Sequence, residues 1–147
     1  MSTSNKSRYK VIPAVFLVLL QGDTVLLQKR QNTGHEDGNY SLVGGHFEGN
    51  ESATSVLIRE AKEEIGITLN PTDLKLVYVL HKKTEDERID LFFMAKKWKG
   101  TPKICEQDKS DDLKYVSLTA LPKNTIAYIA QALSDIQKNV IYGEFGW

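Results

Sequence analysis

Apolar positions in this chain fall into a few dense runs set off by polar punctuation. Val11 to Leu20 (VIPAVFLVLL) is almost continuous and rich in β-branched and aromatic residues, the mark of a buried strand. Gly22-Asp23 interrupts it and Thr24 to Lys29 (TVLLQK) resumes, so the pair predicts a β-hairpin. Gln31 to Asn39 is polar and predicts a loop. Tyr40 to Val43 predicts a short strand before a loop at Gly44-Gly45. Leu74 to Lys82 and Ile89 to Trp98 predict two further strands joined by the charged turn Thr84 to Arg88, and Leu113 to Leu118 alternates as another. Two segments carry helical spacing. Ser52 to Ile65 has Asn50 or Ser52 as its cap and Gly66 at its stop, and Ile126 to Gln137 places Ile126, Ile129, Ala130, Leu133 and Ile136 on one face. Met1 to Ser7 is polar and expected to be loose. There is no repeat and no low-complexity stretch. The pattern predicts one domain over residues 1–147, a mixed sheet with helices of the α/β or α+β class.

The first helix breaks a rule. On a wheel turning about 100° per residue, Ala53, Val56 and Leu57 form a core-facing stripe. Glu60 and Glu64 continue that stripe, and Glu63 lies beside them. Like charges at these spacings cost roughly 0.2–0.5 kcal/mol per pair. Acids in a last turn also oppose the helix dipole, at roughly 0.3–1 kcal/mol each. Lys62 alone does not neutralise three carboxylates. A solvated acidic face is the plain alternative, but it does not explain acids in line with the buried stripe. A divalent cation does, because converging carboxylates make an oxygen-rich site.

Composition narrows the rest. The 147 residues are 41% hydrophobic and 26% charged, ordinary for a globular protein. Nineteen basic residues balance nineteen acidic ones, so no global field draws the chain to nucleic acid or an anionic membrane. The apolar run at Val11 follows Lys6, Arg8 and Lys10 and has the look of an export leader. It is too short to cross a bilayer as a helix, contains Pro13 and lacks a small-residue cleavage site, so a buried strand and a cytoplasmic protein are expected. The lone Cys105 forms no internal disulfide, and its neighbours Ile104 and Glu106 do not activate a nucleophile.

Gly45, Glu51, Arg59-Glu60-Ala61-Lys62-Glu63-Glu64-Ile65-Gly66-Ile67 resembles the Nudix box, G-x5-E-x7-R-E-U-x-E-E-x-G-U with U apolar, at every fixed position. Val43 stands where family members often carry proline before the glycine pair. The resemblance implies a Nudix-type α/β/α sandwich with a mixed central β-sheet. It also implies Mg²⁺- or Mn²⁺-dependent hydrolysis of a pyrophosphate linkage in a nucleoside diphosphate linked to X. A MutT-like nucleoside triphosphate pyrophosphohydrolase is the first reading. ADP-ribose, a nucleotide sugar or a dinucleoside polyphosphate is the alternative substrate, and a non-catalytic nucleotide-sensing domain a further one. The partner is a small nucleotide, with neither nucleic acid nor membrane, and the protein a monomer or homodimer.

The implied metal ligands are Glu60, Glu63 and Glu64, with the Gly44 carbonyl a further one. Arg59 is expected to pair with Glu51 and fix the loop to the helix. The general base is Glu60 or a later acid, Glu106, with Asp108, Asp111 and Asp112 nearby. Arg30 and Lys29 end the second strand and either meet phosphate or stand exposed. Gly44, Gly45 and His46 are candidates for phosphate contact. Tyr40, Phe47 and Phe93 either stack on a base or belong to the core. The aromatic stretch Tyr142 to Trp147 packs on the sheet or on a second subunit.

Overall fold

The computed structural model describes residues 7–147. The loose segment expected at 1–7 therefore lies outside the described residues, except for Ser7. The strands are β1 (Ile12–Gln21), β2 (Thr24–Arg30), β3 (Tyr40–Ser41), β4 (Val43–His46), β5 (Lys75–Lys83), β6 (Glu87–Ala95), β7 (Ser110–Ser117) and β8 (Tyr142–Phe145). The helices are α1 (Ala53–Ile65) and α2 (Ala127–Gln137), with one 3-10 turn at Pro71–Asp73. None of the described helices is long and apolar enough to cross a membrane.

All eight strands join one mixed sheet in the order β3-β2-β1-β6-β5-β8, with β4 added on β1 and β7 on β2. β1 runs parallel to β6, and β5 parallel to β8; the other pairs are antiparallel. Alternation along the strands divides the core in two. Val15, Leu17 and Leu19 pack with Val56, Leu57, Ala61 and Ile65 of α1. Val18, Tyr78, Leu80 and Phe92 pack with Ile129, Ala132 and Leu133 of α2 on the other side. The result is the α/β/α sandwich.

β1 is the seam of the sheet. It pairs with β2 only at its end, Leu20 to Val25 and Gln21 to Thr24, whereas Ala14 to Leu17 pair with β4. β2 and β4 therefore diverge, and a gap opens between them.

Several elements differ from the sequence reading. The Gly44-Gly45 pair is not a loop but the middle of β4, opposite Phe16 and Val15. The expected strand from Tyr40 breaks at Leu42, with β3 following β2 and β4 following β1. The charged turn is shorter than expected, because β6 begins at Glu87. Asp111 and Asp112, named with Glu106 as nearby acids, lie in β7. The aromatic tail packs on the sheet: β8 pairs with β5, and Trp147 Nε1 donates to the His81 carbonyl (3.0 Å).

Candidate active site

α1 begins where Ser52 Oγ accepts the Ser55 amide at 3.2 Å, and ends at Gly66, whose φ of 74° is the left-handed stop glycine tolerates. Asn50 is not the cap. This frame fixes the rotation of the helix, so Val56, Leu57, Ala61 and Ile65 are buried. Glu60 and Glu64 lie at the border of that stripe and face the gap between β4 and β2.

Gly45 is what lets them sit there. A Cβ on Gly45 would come within 2.5 Å of the Glu60 carboxyl carbon. A Cβ on Gly44, which faces the opposite side of β4, would come within 2.4 Å of the Val15 carbonyl oxygen and 2.7 Å of the Phe16 ring. Glycine is needed here for close approach, not for a turn.

The carboxylates of Glu60 and Glu64 are in contact. Gln28 Nε2 on β2 donates to Glu64 Oε1 at 2.6 Å and orients it. Glu64 is half-buried as a residue, and its carboxyl end is the enclosed part. Burial first, then the neighbouring Glu60 and Glu106, push its pKa well above the usual carboxylate range; Gln28 opposes the shift. Glu106 is brought in by the stretch after β6, where the amides of Lys103 and Cys105 donate to the carbonyls of Ile65 and Glu64, each at 3.0 Å. Cys105 itself is exposed and lies off the cleft.

Glu63 does not converge with the other two. Its side chain is half exposed, and its Oε2 is 3.6 Å from Arg59 Nη1. Among the described residues no three His, Cys, Asp or Glu side chains close into a metal-binding group. Arg59 is also the balancing base that the wheel reading overlooked. Its guanidinium forks onto Glu51, Nε to Oε2 at 3.0 Å and Nη2 to Oε1 at 3.1 Å. Its Nη1 donates to Glu60 Oε1 at 2.8 Å. Glu51 holds the Arg59 pKa above its ordinary value, and Arg59 holds that of Glu51 below its own. We expect Arg59→Lys, which keeps charge but loses the fork, to lower kcat/KM about 10–100-fold through a misplaced Glu60. Steady-state kinetics beside an unchanged circular dichroism spectrum checks this.

Glu60, Glu64 and Gln28 line a cleft of about 600 Å³ that also takes in Arg30, Gly44, Gly45, His46 and Glu106 from the sequence reading, whereas Glu51, Arg59 and Glu63 lie off it. Lys29 does not reach it and pairs with Asp111 at 3.5 Å. Asp108 and Asp112 also lie off it, the latter accepting from the Tyr40 hydroxyl. Tyr40, Phe47 and Phe93 belong to the core, and the aromatic cleft walls are Phe16 and Tyr128 instead. His35, given no role from sequence, reaches Tyr128 Oη at 3.3 Å and lines the cleft. His46 contacts Arg88, and burial, then Arg88, lower its pKa.

Sequence reasoning also missed Lys82 and Asp90, paired at 2.8 Å. The signal was present: Lys82 shares strand parity with buried Tyr78 and Leu80, and Asp90 with Phe92. A larger cavity of about 830 Å³, lined by residues such as Leu20, Val77, Met94 and Ile136, has one acid, Asp73, in its wall. It offers no comparable chemistry.

The NUDIX domain model matches residues 10–135. An 8-oxo-dGTP diphosphatase of Escherichia coli is 27% identical over 108 residues, 73% of this chain and 82% of that one. A NAD-capped RNA hydrolase of Pseudomonas fluorescens is 26% identical over 80% of this chain, which spans 40% of that protein. Among solved structures, a MutT NUDIX hydrolase from Burkholderia pseudomallei superposes with a TM-score of 0.79 at 23% identity, covering 86% of this chain and 98% of that one, a likeness of fold. The chain belongs to the Nudix family, as a MutT-like Nudix pyrophosphohydrolase.

Proposed function

We propose that the protein hydrolyses nucleoside triphosphates to the monophosphate and pyrophosphate with Mg²⁺ or Mn²⁺. The observation that carries this reading is the Glu60–Glu64 pair in the cleft, one member of which is held at a raised pKa. Two enclosed acids in contact are costly alone, and a divalent cation relieves both. The donors are hard oxygens, which suits Mg²⁺, an ion that binds through one or two carboxylates plus waters and substrate phosphates. The residues present therefore fit the ion, with Glu60 and Glu64 as its holders, Glu63 swinging from Arg59 to join them, and the Gly44 carbonyl a further ligand.

An ion held there would neutralise the diphosphate and lower the pKa of bound water. The chain's own residues do the rest. Arg59 and Gln28 hold the two carboxylates in place. Glu106, beside Glu64 and in the cleft wall, accepts the proton of the attacking water, with Glu60 the other candidate base. Arg30 and Lys109, also in the wall, meet the phosphate oxygens. The relative acting on 8-oxo-dGTP supports a triphosphate substrate.

Incubation with a panel of nucleotides and Mg²⁺, with product identification, tests this reading. Monophosphate and pyrophosphate from triphosphates are expected. Faster release of AMP and a sugar phosphate from ADP-ribose would shift the substrate to that class, and no turnover of any nucleotide would overturn the enzyme.

Glu64 also sets a pH dependence. Its folded-state pKa lies above the ordinary glutamate value of about 4.5, so the folded state holds that proton more tightly than the unfolded chain does. This contribution is neutral below that value and turns destabilising as pH rises through the raised pKa. Without metal, the melting temperature of Glu64→Gln relative to wild type is expected to climb as pH rises above the usual carboxylate range. Saturating Mg²⁺ removes the trend. A difference that is flat with pH would exclude the titration.

A further inference from the structure

The far end of the cleft, away from the carboxylates, is built around a buried lysine. Lys82 is 3% exposed and contributes to the cleft wall. Its Nζ lies 2.8 Å from Asp90 Oδ2, 3.5 Å from the centre of the Tyr128 ring and 5.8 Å from that of Phe16. Asp90 is fully buried, and beyond this ion pair neither of its oxygens has a hydrogen-bond partner. An ammonium has three protons. Asp90 supplies the counter-charge and Tyr128 a ring face, and the ammonium keeps N–H capacity for a ligand.

The surrounding charges say what kind of ligand. Arg88 stands in the wall nearby but is committed to Asp86, Nε to Oδ1 at 2.6 Å and Nη2 to Oδ2 at 3.1 Å, and touches His46. Glu85 also lines this end. Two cations thus face three acids, so the pocket has no positive field to hold a phosphate. Phe16, partly buried and 6.5 Å from Tyr128, supplies apolar ring surface beside the Lys82–Tyr128 contact instead. A neutral, planar group with a hydrogen-bond acceptor at its edge fits these walls.

Resting on the triphosphate reading above, we propose that Lys82, held by Asp90, reads the nucleobase and selects bases that present a ring carbonyl over those that present an amino group. Guanine, hypoxanthine, uracil and thymine offer such an oxygen, whereas adenine and cytosine place a donor there. A donor facing Lys82 leaves both hydrogens unpaired, and such mispairing discriminates strongly. Burial lowers the Lys82 pKa, and Asp90 opposes that shift.

Substrate pairs that differ at that one position provide the test. Inosine triphosphate against ATP, and UTP against CTP, are each expected to differ by about tenfold or more in kcat/KM in favour of the carbonyl base. In Lys82→Met/Asp90→Asn, which removes both charges and strands neither, both ratios are expected to fall to within about threefold of one. A general folding defect would lower all four substrates alike and leave the ratios standing. Wild-type ratios at or below one overturn the assignment without variants, and ratios that survive in the double variant overturn it as well. Hydrolysis with no such preference leaves the triphosphate reading intact, while no hydrolysis of any nucleotide removes both.

Discussion

Glu64→Gln is expected to melt at a higher temperature than wild type without metal, and to lose about 10³ in kcat/KM with it. The two effects share one cause. Glu64 is an enclosed acid against a second acid, and the amide keeps the shape while removing one charge. Its oxygen still accepts from Gln28, and its new N–H donates to Glu60, so no polar group is stranded. For a chain of this length each kcal/mol relieved raises the melting temperature by about 2–4 °C. The amide is a poor ligand for a hard cation, so the same variant loses the stabilisation by Mg²⁺ that wild type shows. Scanning calorimetry with and without Mg²⁺, beside pyrophosphate release, checks both halves. Full turnover in this variant would exclude Glu64 from metal binding.

The adjacent glycines are expected to fail in different ways when replaced by alanine. At Gly44 the new methyl meets the Val15 carbonyl, which is backbone in the middle of the sheet. Overpacking against an unyielding neighbour costs about 1–3 kcal/mol, so Gly44→Ala melts early. At Gly45 it meets the end of the Glu60 side chain, which swings away. Gly45→Ala therefore stays close to wild type in stability and loses about 10²-fold in kcat/KM, because the displaced carboxylate no longer shares a site with Glu64. Chemical denaturation and kinetics on both variants separate the cases, and an unstable but fully active Gly45→Ala would contradict this.

Local periodicity explains what was legible beforehand. The α1 stripe, its glutamate extension and the Glu51–Arg59 fork follow from helical spacing and from the spacing of the box. The strands of β1, β2, β5 and β6 follow from dense apolar runs. What stayed hidden depends on distant partners. A glycine pair reads as a turn unless the strands above and below it are known, and β4 is a strand because β1 lies against it. The compensation of Glu60 by Arg59 depends on the reach of one long side chain around the helix. β8 lies parallel to β5, a pairing with no turn to announce it. Lys82 and Asp90 were each visible as charges at buried parity, but their meeting requires the β5–β6 register, which sets Leu80 opposite Asp90.

Neighbouring residues of β1 serve opposite layers of the sandwich, Val15 against α1 and Phe16 toward α2. The acids proposed to hold the metal are anchored in one layer, and the lysine proposed to choose the base in the other. A change of preferred base thus falls on a packing unit that the hydrolytic helix does not share. Such a scaffold can drift in what it accepts while its bond-breaking half stands still.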